Sequence, residues 1–590
     1  MAQQFFESFN EGANNVYYAF AGKTSGFPGG VVPTIYDSVK TTQFDAQNNM
    51  LFGKHIQPTD IAYMVNANLW TSGTVYDMYD DQDIALGTKQ FYVCVSEGTT
   101  YYIYKCLNNN NGAASTDAPT FADTSASDTY YETGDGYQWK YMYQLNSATY
   151  LKFSTSLYIP FTEDTDVTDA ASPGAVDVIV PVDANGDISA ISGSGYGNYY
   201  TDTFPSNTAF VNIAGAPYCV IGNSAVSTSH FYEGCYFYIS NGAAQGNYGQ
   251  ITSHISNATG TYVYLDRQFA TQPDATSTYE ITPSVVILNS TNSLTGVEAR
   301  ALVDSATANS IYKVEILARG GNVYSAGAYV LAANQVGVTN TAILRVISGP
   351  KGGHGANVTS ELFCSRVGLS VKFANSESNT ITTYNDYKTV GILKDPMFAN
   401  VTFTTSNQHG TFTANELVTQ TAGSNSAFGY VSQIGVGSIQ VTNTSGFFAS
   451  GYDIVGDSSS ANATVDAITN NGVVKGFETF SQLYKYNGTY VTASQFTADE
   501  VVYQSNVSVS NAIFHSNNSS GNTVYLTQKL GPIYSSNNIV GQTSGAIFNI
   551  NTNYEPDLVF ESGDVLYLEN FDAVNRSSTQ TETIKLILEF

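Results

Sequence analysis

Apolar and polar residues alternate with a period of two along most of this chain, in short runs closed by Gly, Asn, Asp or Ser. Val16-Tyr-Tyr-Ala-Phe20, Phe91-Tyr-Val-Cys-Val95, Tyr101-Tyr-Ile-Tyr104 and Tyr262-Val-Tyr-Leu265 are examples. Side chains two apart share one face of a pleated strand, so this spacing predicts strands from end to end. Three stretches carry a helical pattern instead: the residues after Thr59-Asp60, Val297-Glu-Ala-Arg-Ala-Leu302, and Ser360-Glu-Leu-Phe-Cys364. None is long enough to organise a fold. The expected class is all-β, a multidomain β-sandwich core with inserted small β modules and few short helices.

A chain of 590 residues exceeds one hydrophobic core, and about three to five packing units are expected. Composition shifts divide it. Residues 1–182 have aromatic strands and irregular polar loops such as Asn108-Asn-Asn-Asn-Gly112 and Thr124-Ser-Ala-Ser-Asp128. A β module over 183–290 opens with the Asn-Gly turn Asp183-Ala-Asn-Gly-Asp187, and 291–405 is a mixed segment holding the remaining helical signals. Within 406–555 the sequence repeats. Phe412-Thr-Ala-Asn-Glu-Leu-Val418 returns as Phe496-Thr-Ala-Asp-Glu-Val-Val502, and Asp453-Ile-Val-Gly456 as Asn538-Ile-Val-Gly541. Two tandem β units follow, over about 412–467 and 496–551. Each is expected to bury only one face and so to pack on its sibling or on a partner. Residues 556–590 end in apolar strands, and the terminal Glu582-Thr-Ile-Lys-Leu-Ile-Leu-Glu-Phe590 is expected to pair beside an early strand.

Charge narrows the partners. The 49 acidic and 22 basic residues leave a net charge of −27, the opposite of a phosphate-neutralising surface, so nucleic acid and anionic membranes are not expected partners. Charged residues make up only 12% of the chain, so the surface is polar but largely uncharged. Cys94, Cys106, Cys219, Cys235 and Cys364 are odd in number and widely scattered, which suits free thiols in a reducing cytoplasm better than a disulfide framework. The N-terminus lacks a basic segment followed by an apolar one, and no run approaches the ~18 apolar residues of a membrane span.

Catalytic motifs fail on inspection. Gly22-Lys23-Thr24 resembles the end of a P-loop, but the earlier glycine that loop needs is Tyr17, within a strand. Gly193-Ser-Gly-Tyr-Gly-Asn198 has Asn198 where a dinucleotide loop requires its third glycine. Gly349-Pro-Lys-Gly-Gly-His-Gly355 could form an anion-accepting nest, although a flexible connection explains its composition better. The six histidines show no metal-binding spacing, and neither Asp77-Met-Tyr-Asp-Asp-Gln-Asp83 nor Asp183–Asp187 carries the distal Glu of a calcium loop. There is no Gly-x-Ser-x-Gly elbow. No catalytic, metal or cofactor residue is assigned.

Three segments in order carry a family resemblance: Ile103-Tyr-Lys-Cys-Leu107, Glu132-Thr-Gly-Asp-Gly-Tyr-Gln-Trp-Lys-Tyr141, and Ser562-Gly-Asp-Val-Leu-Tyr-Leu-Glu-Asn570 with the C-terminal strand. Asn15-Val-Tyr-Tyr-Ala-Phe-Ala-Gly22, Trp70-Thr-Ser-Gly73 and the middle strand Val390-Gly-Ile-Leu-Lys-Asp-Pro396 extend it. Together they resemble the baseplate wedge protein, gene product eight, of T-even-type contractile-tailed phages. That resemblance implies an all-β sandwich subunit of the virion tail baseplate, assembled in the host cytoplasm. It also implies a homodimer within each wedge that contacts other wedge proteins, without catalysis or cofactor. The residues it marks as core or interface are Trp70, Tyr104, Cys106, Gly134, Asp135, Gly136, Tyr137, Trp139, Gly563, Asp564, Tyr567, Glu569 and Asn570. The modules over 183–290 and 406–555 are additions to the family pattern. A host-recognition or glycan-binding tail protein is the competing expectation, raised by the repeats rich in Asn, Ser, Thr and Gly.

Overall fold

A computed structural model describes residues 2–9, 15–23, 32, 37–120, 131–162, 176–206, 209–288, 296–319, 329–331, 337–350, 353–355, 357–377, 381–382, 386–423, 425–446, 448–470, 478–577 and 579–589. The polar loop 124–128 lies outside them. The chain is all-β, with four short α-helices among the described residues. It forms two compact units, one of residues 1–63 and 365–590, the other of 64–364. The segments 1–182 and 291–405 each contribute to both units.

In the first unit, a five-stranded sheet runs in the order Thr479–Ser481, Met50–His55, Tyr17–Gly22, Asp386–Lys394, Asp564–Asn575. Every residue of Tyr17–Gly22 is buried. Its period-2 pattern explains why: Tyr17, Ala19 and Ala21 enter one core with Leu369, Val371 and Phe373, while Tyr18 and Phe20 enter another. Phe20 pairs with Gly53 on one side and Gly391 on the other. Both glycines are required, since a Cβ at Gly391 would lie 2.4 Å from the Phe20 ring and one at Gly53 would lie 2.4 Å from the Phe480 ring. The C-terminal strand Thr581–Glu589 pairs along its whole length with Arg366–Ala374, not with an early strand of the sequence. The Val39–Asn49 helix, capped by Ser38, was not legible because its apolar residues Val39 and Phe44 point to solvent instead of forming a buried stripe.

The repeats are two closed six-stranded barrels of identical strand order. The first uses Phe398–His409, Leu417–Ala422, Asn425–Gly435, Ser438–Gly446, Asp453–Gly456 and Asn462–Asn470; the second uses Tyr484–Tyr490, Val501–Tyr503, Asn511–Asn517, Thr523–Leu530, Asn538–Gly541 and Ile547–Tyr554. The expectation that each buries one face only against a neighbour is therefore corrected. A sheet closed on itself encloses its own core, here Val502, Phe514, Leu526, Ile539, Phe548 and others in the second barrel.

In the second unit, Tyr92–Glu97, Thr100–Asn108, Gln138–Asn146 and Tyr131–Glu132 form a four-stranded sheet in that order. Residues 200–282 build a seven-stranded sheet with a separate aromatic core around Phe204, Phe237 and Tyr279. Val176–Val182 pairs with Ile343–Ser348, and Ser310–Ala318, Glu298–Asp304, Ser284–Ile287 and Tyr329–Leu331 form a further sheet. Glu298–Asp304 overturns the helix expected at 297–302. Ala299, Ala301 and Val303 alternate inward, and Arg300 is held by Glu280 and Glu315 of neighbouring strands, so tertiary pairing overrides helical propensity. Of the other expected helices, Thr59-Asp60 ends a single 3-10 turn before the strand Ile61–Asn66, and Val358–Glu361 is one helical turn.

Candidate functional site

The residues marked by the resemblance fall into two groups, one in each unit. In the second unit the turn Gly134-Asp-Gly136 lies between Tyr131–Glu132 and Gln138–Asn146 and turns the Asp135 carboxylate toward the loop at 115–117. Asp135 Oδ2 accepts from Ser115 Oγ at 3.1 Å, Thr116 N at 2.7 Å and Asp117 N at 3.0 Å, and Oδ1 from Thr133 Oγ1 at 2.6 Å and Tyr137 N at 3.2 Å. Burial pushes this carboxyl up, but the bonds from Thr133 and the backbone outweigh it and hold the pKa down at about 2. Gly136 has φ +82°, and a Cβ there would meet Asn110 Nδ2 at 2.9 Å, so glycine is required.

Trp70 joins the same hub, donating from Nε1 to Ser115 Oγ at 3.1 Å. The Tyr137 hydroxyl donates to Ala113 O and accepts from Tyr76 N at 3.2 Å. Its ring stacks on Trp139 at 5.3 Å. Trp139 lies opposite Cys106, and Tyr104 opposite Tyr141, across the strand pair. Tyr104, Cys106, Tyr137, Trp139, Tyr141 and Tyr143 are all core, and burial, with a smaller push from Asp77, holds the Cys106 thiol far above its ordinary range. Both faces of the strand are covered from Gln138 to Tyr143, so the aromatic stripe packs inward and none of it faces solvent.

In the first unit, Gly563, Asp564, Tyr567, Glu569 and Asn570 start the strand paired with Asp386–Lys394. Gly563 turns with φ +79° against Lys394 O, Asn570 Oδ1 accepts from Thr389 Oγ1 at 2.8 Å, and the Tyr567 hydroxyl donates to Glu569 at 2.7 Å.

One constellation of acid–base groups escaped the sequence. Lys105, on the strand between Tyr104 and Cys106, places Nζ within hydrogen-bonding reach of His354 Nδ1 and Glu361 Oε1. His354 Nε2 meets Asp177 Oδ1 at 2.8 Å, and the Tyr79 ring lies 3.8 Å from the lysine nitrogen. These side chains come from the Thr100–Asn108 and Val176–Val182 strands, the glycine-rich loop and the Val358–Glu361 helix. None of the four is more than 5% exposed. Burial opposes charging His354, but Asp177 more than compensates and its pKa is raised; Asp177 and Glu361 are both lowered despite burial, chiefly by His354 and Lys105 respectively. Of the glycine-rich loop, Gly355 N donates to the chain's own Glu361 Oε2 at 3.0 Å. Lys351 and Gly352 of that loop lie outside the described residues. The partners of His354 stand at 105, 177 and 361, and only the glycine run around it signalled a special backbone.

No protein-family model matches this sequence, and a search of curated proteins found no significant match. Among the described residues no group of three or more His, Cys, Asp or Glu is arranged to hold a metal ion, the five cysteines form no disulfide, and no helix is long and apolar enough to cross a membrane.

Proposed function

We propose that this chain is a structural subunit of a phage tail baseplate wedge, working through assembly and conformational change on contraction and without catalysis or cofactor. The observation that carries this reading is the adjacency of three segments bearing the resemblance. Tyr17–Gly22, Asp386–Lys394 and Asp564–Asn575, from the start, middle and end of the chain, are consecutive strands of one sheet. The segments Ile103–Leu107 and Glu132–Tyr141 likewise share a sheet. A resemblance spread over distant stretches of sequence thus corresponds to coherent pieces of structure, with the added barrels and the 200–282 sheet outside them.

The strongest cluster of ionisable groups, around His354, is sealed and self-neutralising, which suits a frame better than an active site. In this reading the partners are other wedge proteins and a second copy of the chain, in the baseplate of the virion. Electron cryomicroscopy of the intact particle provides the test. The chain is expected in six-fold density of the baseplate, and finding it only on distal fibres would overturn the proposal. Light scattering of the purified chain is expected to give the mass of a dimer.

A further inference from the structure

We propose that the cleft beside the Val39–Asn49 helix in the first unit binds a neutral oligosaccharide. Two neighbouring cavities, of about 470 and 340 Å³, share Gln47 in their walls. Each falls in the size range of small-ligand sites. Their lining combines amides with aromatic rings. Gln43 and Gln47 line the first cavity, and Gln47, Asn48, Gln482 and Gln528 the second. Gln47 donates to Ser562 O and Gly563 O and Gln482 holds Leu558 through both amide atoms, so Gln43, Asn48 and the Gln47 oxygen are the groups left to match the paired donor and acceptor capacity of vicinal sugar hydroxyls. Phe44 lines the first cavity and Phe560 the second; they meet edge to face at 6.1 Å and remain 52% and 49% exposed. Two large apolar rings left open beside a row of amides suit a ligand with one apolar C–H face and a hydroxylated rim.

Charge points to a neutral ligand. Lys40 and Glu561 both line the first cavity, while Lys529 of the second is paired with Glu555 at 3.1 Å and lies over the Tyr484 ring at 4.0 Å. No excess of either sign remains in the walls, and a chain of net charge −27 repels polyanions.

Left-handed backbone occurs at many non-glycine residues of this chain, two of them in these walls. Gln528 and Glu561, one in each cavity wall, have φ +51° and +60°. Side chains rarely adopt this region, and such residues gather at binding sites. Gln528 is the extra residue of a β-bulge, where the register between Asn511–Asn517 and Thr523–Leu530 slips. The first barrel has the same bulge at Asn443, φ +50°, a residue type that tolerates this conformation. The bulge therefore belongs to the barrel, but a long amide occupies it only where it faces the helix, and there it donates to Asn49 Oδ1.

The test is titration of the full chain with maltohexaose, cellohexaose and N-acetylchitohexaose, followed by calorimetry and by saturation-transfer NMR. Binding of at least one hexasaccharide is expected. Phe44→Ala and Phe560→Ala should each weaken it at least about tenfold without moving the thermal midpoint, since both rings are half exposed. Tyr452→Ala, an exposed ring on the first barrel, should leave binding unchanged. No binding of any of the three sugars, equal binding by the Phe44→Ala/Phe560→Ala double variant, or binding of dextran sulfate in preference to them would overturn the inference. Failure here leaves the baseplate reading intact, because that is decided by the position of the chain in the particle.

Discussion

At the scale of single residues, two carboxylates organise loops that sequence separates. Asp135 satisfies donors from 115–117, 133 and 137, so Asp135→Ala leaves several without a partner and should cost about 2 kcal/mol in denaturant unfolding. Because its pKa is depressed to about 2 in the folded state, its contribution is complete above the ordinary carboxylate pKa and fades as pH falls toward 2. With this group partly exposed, that share is on the order of 1 kcal/mol after solvent screening, and it should vanish from the acid limb of the stability curve in Asp135→Asn. Lys105→Met is the harsher change, stranding Glu361 without its buried cation, and should destabilise the second unit by about 3–5 kcal/mol. An unchanged urea midpoint would refute the view that this network holds the unit together. The Gly-Asp-Gly turn was legible as a turn because glycine marks φ > 0 locally. The Asp135 donors and the His354 partners were not, because they are contacts between segments that only the fold brings together.

Among the elements, the repeat shows how one local solution is built twice. Glu416 in the first barrel accepts from Thr413 N, Ser458 Oγ and Ser459 N, and Glu500 in the second accepts from Thr497 N, Thr543 N and Ser544 N. Gln420 and Gln504 likewise each pin one loop through both amide atoms, to Ala449 and Tyr452 in one barrel and Tyr534 in the other. The glutamate also explains the glycine of the Ile-Val-Gly strands: a Cβ on Gly456 or Gly541 would stand 2.7 Å from the Glu416 or Glu500 carboxylate. Glu500→Ala should therefore cost about 2–3 kcal/mol, and Gly541→Ala should destabilise the same barrel by displacing that carboxylate. Thermal unfolding followed by circular dichroism tests both, and Glu500→Gln, which retains one acceptor oxygen, should fall between. Strand periodicity and the repeat itself were legible, since both are written locally. Closure of each repeat into a barrel was not, because alternation shows that one face is buried but not whether a neighbour or the sheet itself covers it. The strand at Glu298–Asp304 was misread for a related reason: Glu, Ala, Arg and Leu favour a helix, and the partners that decide the matter, Glu315 across the strand pair and Glu280 from another sheet, are invisible to periodicity.

For the whole molecule, the two units carry different histidine chemistry, which gives each its own response to acid. In the first unit His515 is fully enclosed beside Lys23, itself held by Asp386 and Asp499, and burial followed by Lys23 depresses its pKa to about 3. Burial depresses His55 to about 4 against the opposing pull of Asp60. Each contributes stability that is complete above the unfolded histidine pKa near ~6.5 and is lost as pH falls toward the folded value. In the second unit the raised pKa of His354 has the opposite sign, its contribution being complete in acid and lost as pH rises through the folded value, while the lowered His254 is the lesser acid-sensitive group there. Between about pH 6.5 and 4.5 the first unit should weaken more than the second, by on the order of 2 kcal/mol from His515 alone, because in the second unit Asp81, pushed up to about 6 by burial, takes up its proton in the folded state and offsets His254. Trp70 and Trp139 both lie in the second unit, so tryptophan fluorescence reports that unit while far-UV circular dichroism reports both. Urea titrations at pH 7 and pH 5 should then show the dichroism transition moving to lower urea while the fluorescence transition stays nearly fixed. His515→Gln should suppress the shift, and Lys105→Met should move the fluorescence transition alone. Coincident transitions moving together in every variant would mean that the two units unfold as one and that neither histidine environment acts locally.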